Sequence, residues 1–344
     1  TSYADYNLGM IVEFALNDGK SRKYGRAVAA RTGDPRSFAT YEQFLEAVKT
    51  QIRYVLRCMV AGNQVTTEIV RDMECPVASL TFKECLETGL DYAWGGAKYS
   101  MGDGLDAIGV ADLINSILAV KELVYERRAI TMDELLNALA ADFEGYEDVQ
   151  AMCQRCTKYG NDEESANALA RDMFNFIADE IESYQHPYGR YTGGILPVSG
   201  NTPFGMEVGA LPSGRHAWKP LADGLSPNQG TDTEGMGAVI RSVANIPHSR
   251  FNQGTLLNQK LDPAFARGGK SVESLMGFLK SACAMGVFHV QFNVVNEEEL
   301  HDAQEHPAEH ADLLIRVAGY TAYFTELGPE TQNDIISRTT QTAL

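Results

Sequence analysis

Apolar residues recur at helical spacing through the first half of the chain. Tyr41, Phe44, Leu45, Val48, Ile52, Val55, Leu56 and Met59 share one helix face, and Thr40 with Gln43 reads as a capping box at its start. Ile108 to Val124 is apolar and long enough for a buried helix. A second capping box, Thr131 with Glu134, precedes Leu135, Leu136 and Leu139. Asp162 opens a further helix whose inner face is Leu169, Met173, Phe176, Ile177 and Ile181, and which stops before Pro187 and Gly189.

The second half reads differently. Residues 189–237 are rich in Gly, Pro, Ser and Asn and predict long ordered loops, the kind of segment that carries function in a compact protein. Val287 to Val295 is a β-branched and aromatic run between Gly286 and Asn296-Glu297-Glu298, which predicts a strand. Asn296 with Glu299 caps a short helix that ends at Pro307, and Leu313 to Val317 is the next strand, with Gly319 just beyond it. Strand and helix alternate, so the predicted class is α/β. No internal repeat or low-complexity linker interrupts the chain.

Composition narrows this picture. A chain of 344 residues with 44% apolar and 22% charged residues is expected to be a soluble globular protein of one to three domains. No apolar run reaches the length of a membrane span, no signal peptide is visible, and the first residue is not methionine, which reads as a fragment of a longer protein. The net charge of −17 repels phosphate backbones, so nucleic acid is not an expected partner, and with no apolar run of membrane length no membrane is expected either. Cys58, Cys75, Cys85, Cys153, Cys156 and Cys283 are sparse and mostly isolated, as reduced thiols of a cytosol would be.

Candidate chemistry centres on Arg316-Val317-Ala318-Gly319-Tyr320. A glycine there reaches positive φ without steric cost, so an ordinary turn is one reading. The other is chemical: an unshielded α-carbon between two peptide groups can hold a delocalised unpaired electron. Four further segments decide between them. Gly214-Arg215-His216-Ala217-Trp218-Lys219-Pro220-Leu221-Ala222-Asp223-Gly224-Leu225-Ser226-Pro227, then Gly254-Thr255-Leu256-Leu257-Asn258-Gln259-Lys260, then Phe288-His289-Val290-Gln291-Phe292-Asn293, and finally Gln332 to Thr339, stand in the order found in glycyl radical enzymes. The chain resembles the pyruvate formate-lyase-like superfamily over nearly its whole length, and within it the glycerol dehydratase and choline lyase type eliminases.

The resemblance implies the second half of a ten-stranded α/β barrel with a helical outer layer and a C-terminal glycine radical loop. Residues 1–215 would belong to the barrel and 216–344 to the glycine radical domain. It implies a lyase or dehydratase that breaks a C–O, C–N or C–S bond of a small hydroxylated substrate. Gly319 would hold the radical in a dry interior, installed by a radical-SAM activating enzyme with no other cofactor bound. The spin would then pass to a cysteine on the opposite loop. The family string Gly-Cys-Val-Glu is absent, Cys75 sits in Glu74-Cys75-Pro76, and the matching cysteine and glutamate would precede Thr1. The isolated chain is therefore expected to be inactive. A C–C cleaving enzyme of the formate acetyltransferase kind, or a non-catalytic chain that only donates the glycine loop, are the alternatives. A homodimer in the cytoplasm of an anaerobic bacterium, inside or outside a microcompartment, is also implied.

Site residues follow from the same resemblance. The acid of diol dehydratases falls on Ser2, and pocket positions of choline lyases fall on Thr1 and Asp5. Asp5 is thus a candidate acid or cation contact, or else a helix N-cap. Thr192, Leu196 and Ser199, within Tyr191 to Asn201, are candidate substrate contacts. Asn258, His289, Gln291, Arg316 and Tyr320 would support the glycine loop, the first three reading equally as satisfied core polar groups. Three other patterns are set aside. Cys153-x-x-Cys156 lacks the partners of a zinc site. Gly269-Lys270-Ser271 lacks the earlier glycine of a phosphate loop, Ala264 standing in its place. His301, His306 and His310 are interrupted by Pro307, so no metal site is expected.

Overall fold

The computed structural model describes residues 3–98, 102–266 and 271–341. Strand β1 (Tyr3–Asn7) opens the chain, and helix α1 (Leu8–Ala15) follows at once because the Asn7 side chain accepts from Met10 N at 2.8 Å. Asp5 therefore lies within a strand, and its N-cap reading is corrected: the cap is Asn7. Helix α2 (Tyr41–Arg71) starts at Thr40 as predicted and runs well past Met59. Gln43 reaches back to Ala39 N rather than to Thr40 N, so the capping box is only half closed.

Strand β2 (Gly104–Ile108) is buried along its whole length. Ile108 ends it, and Gly109, at φ +93°, turns the chain into helix α3 (Val110–Val120), which finishes in a π-helical turn at Lys121–Glu126. The helix expected from Ile108 thus begins two residues later, because strand pairing claims the apolar residues before the glycine. Helix α4 (Met132–Ala140) carries the complete Thr131–Glu134 capping box. Helix α5 (Glu164–Ser183) begins after Asp162, which sits at φ +59° outside it.

Strand β3 (Thr192–Ile195) and the short β4 (Gly254–Thr255) complete a parallel sheet in the order β1-β2-β3-β4. Its register sets Asp5 beside Asp106, Asp106 beside Gly194, and Gly194 beside Gly254. Parallel strands at one register point equivalent side chains to one face. The opposite face holds Leu105, Ala107 and Gly193 against the helical layer: a Cβ on Gly193 would come within 2.7 Å of Phe251 and 3.2 Å of Ile181 of α5.

Strand β5 (Asn258–Leu261) pairs in parallel with β6 (Gln291–Val294). The strand expected from Val287 to Val295 shortens to these four residues because β5 offers only four partners. Helix α6 (Glu297–Glu305) has its Asn296 cap, with Glu299 N donating at 2.6 Å, and ends before Pro307. Strands β7 (Leu314–Arg316) and β8 (Thr321–Tyr323) form an antiparallel hairpin with Gly319 at its tip. Helix α7 (Pro329–Ser337) begins with proline at its first turn, and the chain then enters β9 (Thr340–Gln341), which pairs with β5. One large core runs from Tyr6 to Val287, and a smaller one joins Val295, Leu300, Ala303, Ile315, Val317, Phe324, Ile335 and Ile336 under the hairpin. Among the described residues no helix is long and apolar enough to cross a membrane.

Candidate active site

Gly319 adopts φ +84°, a left-handed conformation that strains any residue with a Cβ. Its flanks are fixed. Val317 and Ala318 are both 1% exposed, and the Val317 carbonyl accepts from Asn258 Nδ2 and Arg338 Nη1, each at 3.1 Å. Gln291 Oε1 accepts from Arg316 Nε at 3.1 Å and from the Gly319 amide at 3.4 Å. The Gln291 amide in turn donates to Asn258 Oδ1, whose own amide donates to the buried Asp223 carboxylate. Asn293 holds the Arg316 backbone from both sides, accepting from its N–H at 2.9 Å and donating to its carbonyl at 2.6 Å. Tyr320 reaches across to donate to Ser199 Oγ at 3.3 Å.

The glycine itself is exposed on this chain, so the dry interior expected for it is not formed by the described residues alone. A Cβ built there would meet only Leu256 Cδ1, at 3.6 Å. The hairpin tip is pinned from the β5–β6 side, and no described element covers its other side.

Behind the hairpin lies a buried ion cluster. Arg338 stands between Asp334, at 2.7 Å, and Asp223, at 3.6 Å. Burial works against the Arg338 charge, yet the two carboxylates hold its pKa above the ordinary value; burial and then Asp334 push Asp223 up against the pull of Arg338. Asn201 Nδ2 also donates to Asp334 at 3.3 Å. Helix α7, the Gly214–Pro227 loop and the hairpin are thereby tied together.

The first sheet brings the other candidates to one face. Thr192 is buried, with its hydroxyl taken by Gln253 Nε2 at 2.6 Å. Leu196 follows β3 on the same face, and Ser199 ends this wall where Tyr320 meets it. Asp5 is exposed on β1, beside Asp106, and Thr1 and Ser2 lie outside the described residues. His289 is half-buried, and its Nδ1 has no hydrogen-bond partner among the described residues, so the satisfied-core reading fits Asn258 and Gln291 but not His289. Burial, then the nearby Arg316 charge, lowers its pKa and keeps the ring neutral.

Sequence reasoning missed Asp106, Asn293, Asp223, Asp334 and Arg338 as individual actors. One signal was available: Asp106 is an acid inside the otherwise apolar Leu105-Asp106-Ala107-Ile108, and a charge in a buried strand is costly unless it has a purpose. Of the patterns set aside, Cys153 and Cys156 are both buried, burial pushing their thiols to about 12 and about 11. His306 and His310 both turn to Asp302, at 2.9 and 2.7 Å, on an exposed surface. Gly269 and Lys270 fall outside the described residues, among which no cluster of three or more His, Cys, Asp or Glu is placed for a metal.

Residues 1–205 match the pyruvate formate lyase-like family model, and residues 221–325 match the glycine radical model. Trans-4-hydroxy-L-proline dehydratase of Clostridioides difficile is 37% identical over 339 residues, which cover 98% of this chain and 43% of that protein. Its crystal structure with substrate bound superposes with a TM-score of 0.96, at 36% identity. Isethionate sulfite-lyase of Bilophila wadsworthia is 35% identical, over 97% of this chain and 41% of that protein. The glycerol-bound B12-independent glycerol dehydratase of Clostridium butyricum superposes with a TM-score of 0.95, at 34% identity, over 98% of this chain and 43% of that one. The chain therefore spans less than half the length of these relatives. With more than half of its residues matched by one family model and a glycine radical segment after it, the chain belongs to the pyruvate formate lyase-like family.

Proposed function

We propose that this chain is the glycine-loop portion of a glycyl radical lyase that eliminates a leaving group from a small hydroxylated substrate. The carrying observation is the hairpin tip: the Gly319 amide is held by Gln291, and the adjacent Tyr320 hydroxyl touches Ser199 at the end of the wall formed by β3. A backbone methylene in a left-handed turn thus stands where one fixed loop meets a candidate pocket wall. The relatives include dehydratases and sulfite-lyases, which is the basis for elimination rather than carbon–carbon cleavage.

In this reading a radical-SAM activating enzyme takes one hydrogen atom from the Gly319 α-carbon. The glycyl radical later takes a hydrogen atom from a cysteine thiol in the part of the barrel that this chain does not span. The resulting thiyl takes a hydrogen atom from the substrate, the group on the neighbouring carbon leaves, and the hydrogen returns from the thiol to the product radical. Radical chemistry does the difficult step; the protein supplies position and exclusion of water. The missing portion also covers the exposed side of Gly319. Residues 1–215 serve the barrel and 216–344 the radical domain, in a homodimer within the cytoplasm of an anaerobic bacterium.

The test is anaerobic activation of the full-length protein followed by electron paramagnetic resonance and product analysis. A glycine-type doublet and an elimination product are expected, and Gly319→Ala loses both. A doublet that persists in Gly319→Ala, or turnover without any doublet, overturns the proposal.

A further inference from the structure

We infer that Gln253 is the residue that holds a substrate hydroxyl, and that Thr192, beside it, acts only by orienting the Gln253 amide. This deepens the lyase reading and rests on it.

The faces of the first sheet come first. Gly104, Thr192 and Gly194 lie on the face that turns away from the helical layer, because Leu105 and Gly193 at the alternate positions take the other one. Two of these three positions have no side chain, and Gln253 fills the space above them. A Cβ on Gly104 would come within 2.9 Å of Gln253 Cδ and 3.1 Å of its Nε2, and a Cβ on Gly194 within 2.8 Å of Gln253 Cβ. The side chain therefore lies flat across β2 and β3, in room that glycine at both positions leaves open.

Both ends of this residue are fixed. Its backbone N–H donates to the Gly193 carbonyl at 3.0 Å, which ties it to the sheet just before β4. Its Nε2 donates to Thr192 Oγ1 at 2.6 Å, and Thr192 is buried. An amide held by its nitrogen presents its oxygen elsewhere. Gln253 Oε1 has no hydrogen-bond partner among the described residues, and the residue is only half-buried. A second open acceptor faces the same space: Asp106 Oδ1 is buried over Gly194 and has no partner among the described residues either. Polar atoms left open on a face that a barrel encloses are satisfied by what binds there. The Gln253 oxygen is an acceptor whatever the protonation of its neighbour, so it fixes the direction of a hydroxyl that reaches it.

Thr192 does not offer the same contact, because its hydroxyl oxygen is already taken by the Gln253 amide. It is a positioning residue: without that hydroxyl the amide is free to turn end for end and face the interior with N–H donors. The competing use of Gln253 is packing alone, and packing over two glycines is indifferent to which end of the amide faces inward.

The test is calorimetric titration of the unactivated full-length protein with three small hydroxylated probes: neutral glycerol, anionic isethionate and zwitterionic trans-4-hydroxy-L-proline. At least one is expected to bind the wild type. Gln253→Met keeps the unbranched shape and removes both polar ends, and is expected to weaken that probe at least about tenfold, the scale of one lost hydrogen bond to a buried group. Thr192→Val keeps the shape but not the hydroxyl and is expected to weaken it in the same direction, while Thr192→Ser, which gives the hydroxyl back, recovers the binding. No binding of any probe by the wild type overturns the inference, as does undiminished binding by Gln253→Met or by Thr192→Val. If Gln253→Met fails to fold, Gln253→Leu decides in the same way. Failure of the lyase reading shows separately, as the absence of a glycine doublet on activation of the wild type.

Discussion

Gly319 allows folding and chemistry to be separated at a single residue. Its Cβ direction is open, the nearest atom being Leu256 Cδ1 at 3.6 Å, so alanine meets no clash. Only the left-handed backbone penalises it, by about 1–2 kcal/mol. Gly319→Ala is therefore predicted to melt within several degrees of the wild type while losing the radical, and a thermal melt beside the spin measurement checks both halves. Cysteine reactivity is a second residue-scale test. Burial raises the Cys153 and Cys156 thiols to about 12 and about 11, whereas Cys58, Cys75 and Cys283 are exposed. Iodoacetamide at mildly alkaline pH should label the exposed three and spare Cys153 and Cys156 until the protein is unfolded, since the thiolate is the reactive form. Mass spectrometry reads the outcome, and labelling of Cys153 in the native protein would contradict a purely packed role for that pair.

At the scale of elements, the C-terminal hairpin and helix α7 are held to the barrel by charge and hydrogen bonds as much as by apolar contact. Their own core is small, whereas Arg338 touches Asp223 and Asp334, and Lys260 Nζ donates to the Ile336 carbonyl at 2.7 Å. Arg338→Met leaves two buried carboxylates facing each other, a loss of about 3–5 kcal/mol. Denaturant unfolding should register that loss, and amide exchange should show residues 314–341 opening before the first sheet does. Uniform loosening of the whole chain would mean that the cluster is not a local clamp. The elements themselves were largely legible. Capping at Thr131 and Asn296 acts within one turn and needs no distant partner, so those helices begin where the sequence places them. Strand ends were less legible. The run from Val287 is β-prone throughout, but pairing stops where β5 runs out of partners.

On the scale of the whole molecule, the chain has surfaces that match its partial span of the relatives. Val65, Ile69, Met73, Val77, Leu80 and Leu86 are exposed, with Val77 at 77%, at the far end of α2 and just after it. Gly319 is exposed as well. The prediction is that the isolated chain, even after activation, gives no turnover, and that co-production with the cysteine-bearing portion of the barrel restores it. Substrate consumption under anaerobic conditions is the measurement, and turnover by the isolated chain would show that the thiyl cysteine lies within these residues.

The sequence by itself determined the α/β class, the capped helices, the glycine loop and its family segments, because each is written in neighbouring residues or in their order along the chain. Only the tertiary structure decided that Asp106 stands beside Asp5 over a glycine, that Gln291 holds both Arg316 and Gly319, and that Arg338 closes on Asp223 and Asp334. These meetings join residues far apart in the chain. Strand register and burial bring them together, and neither quantity is encoded in any local window.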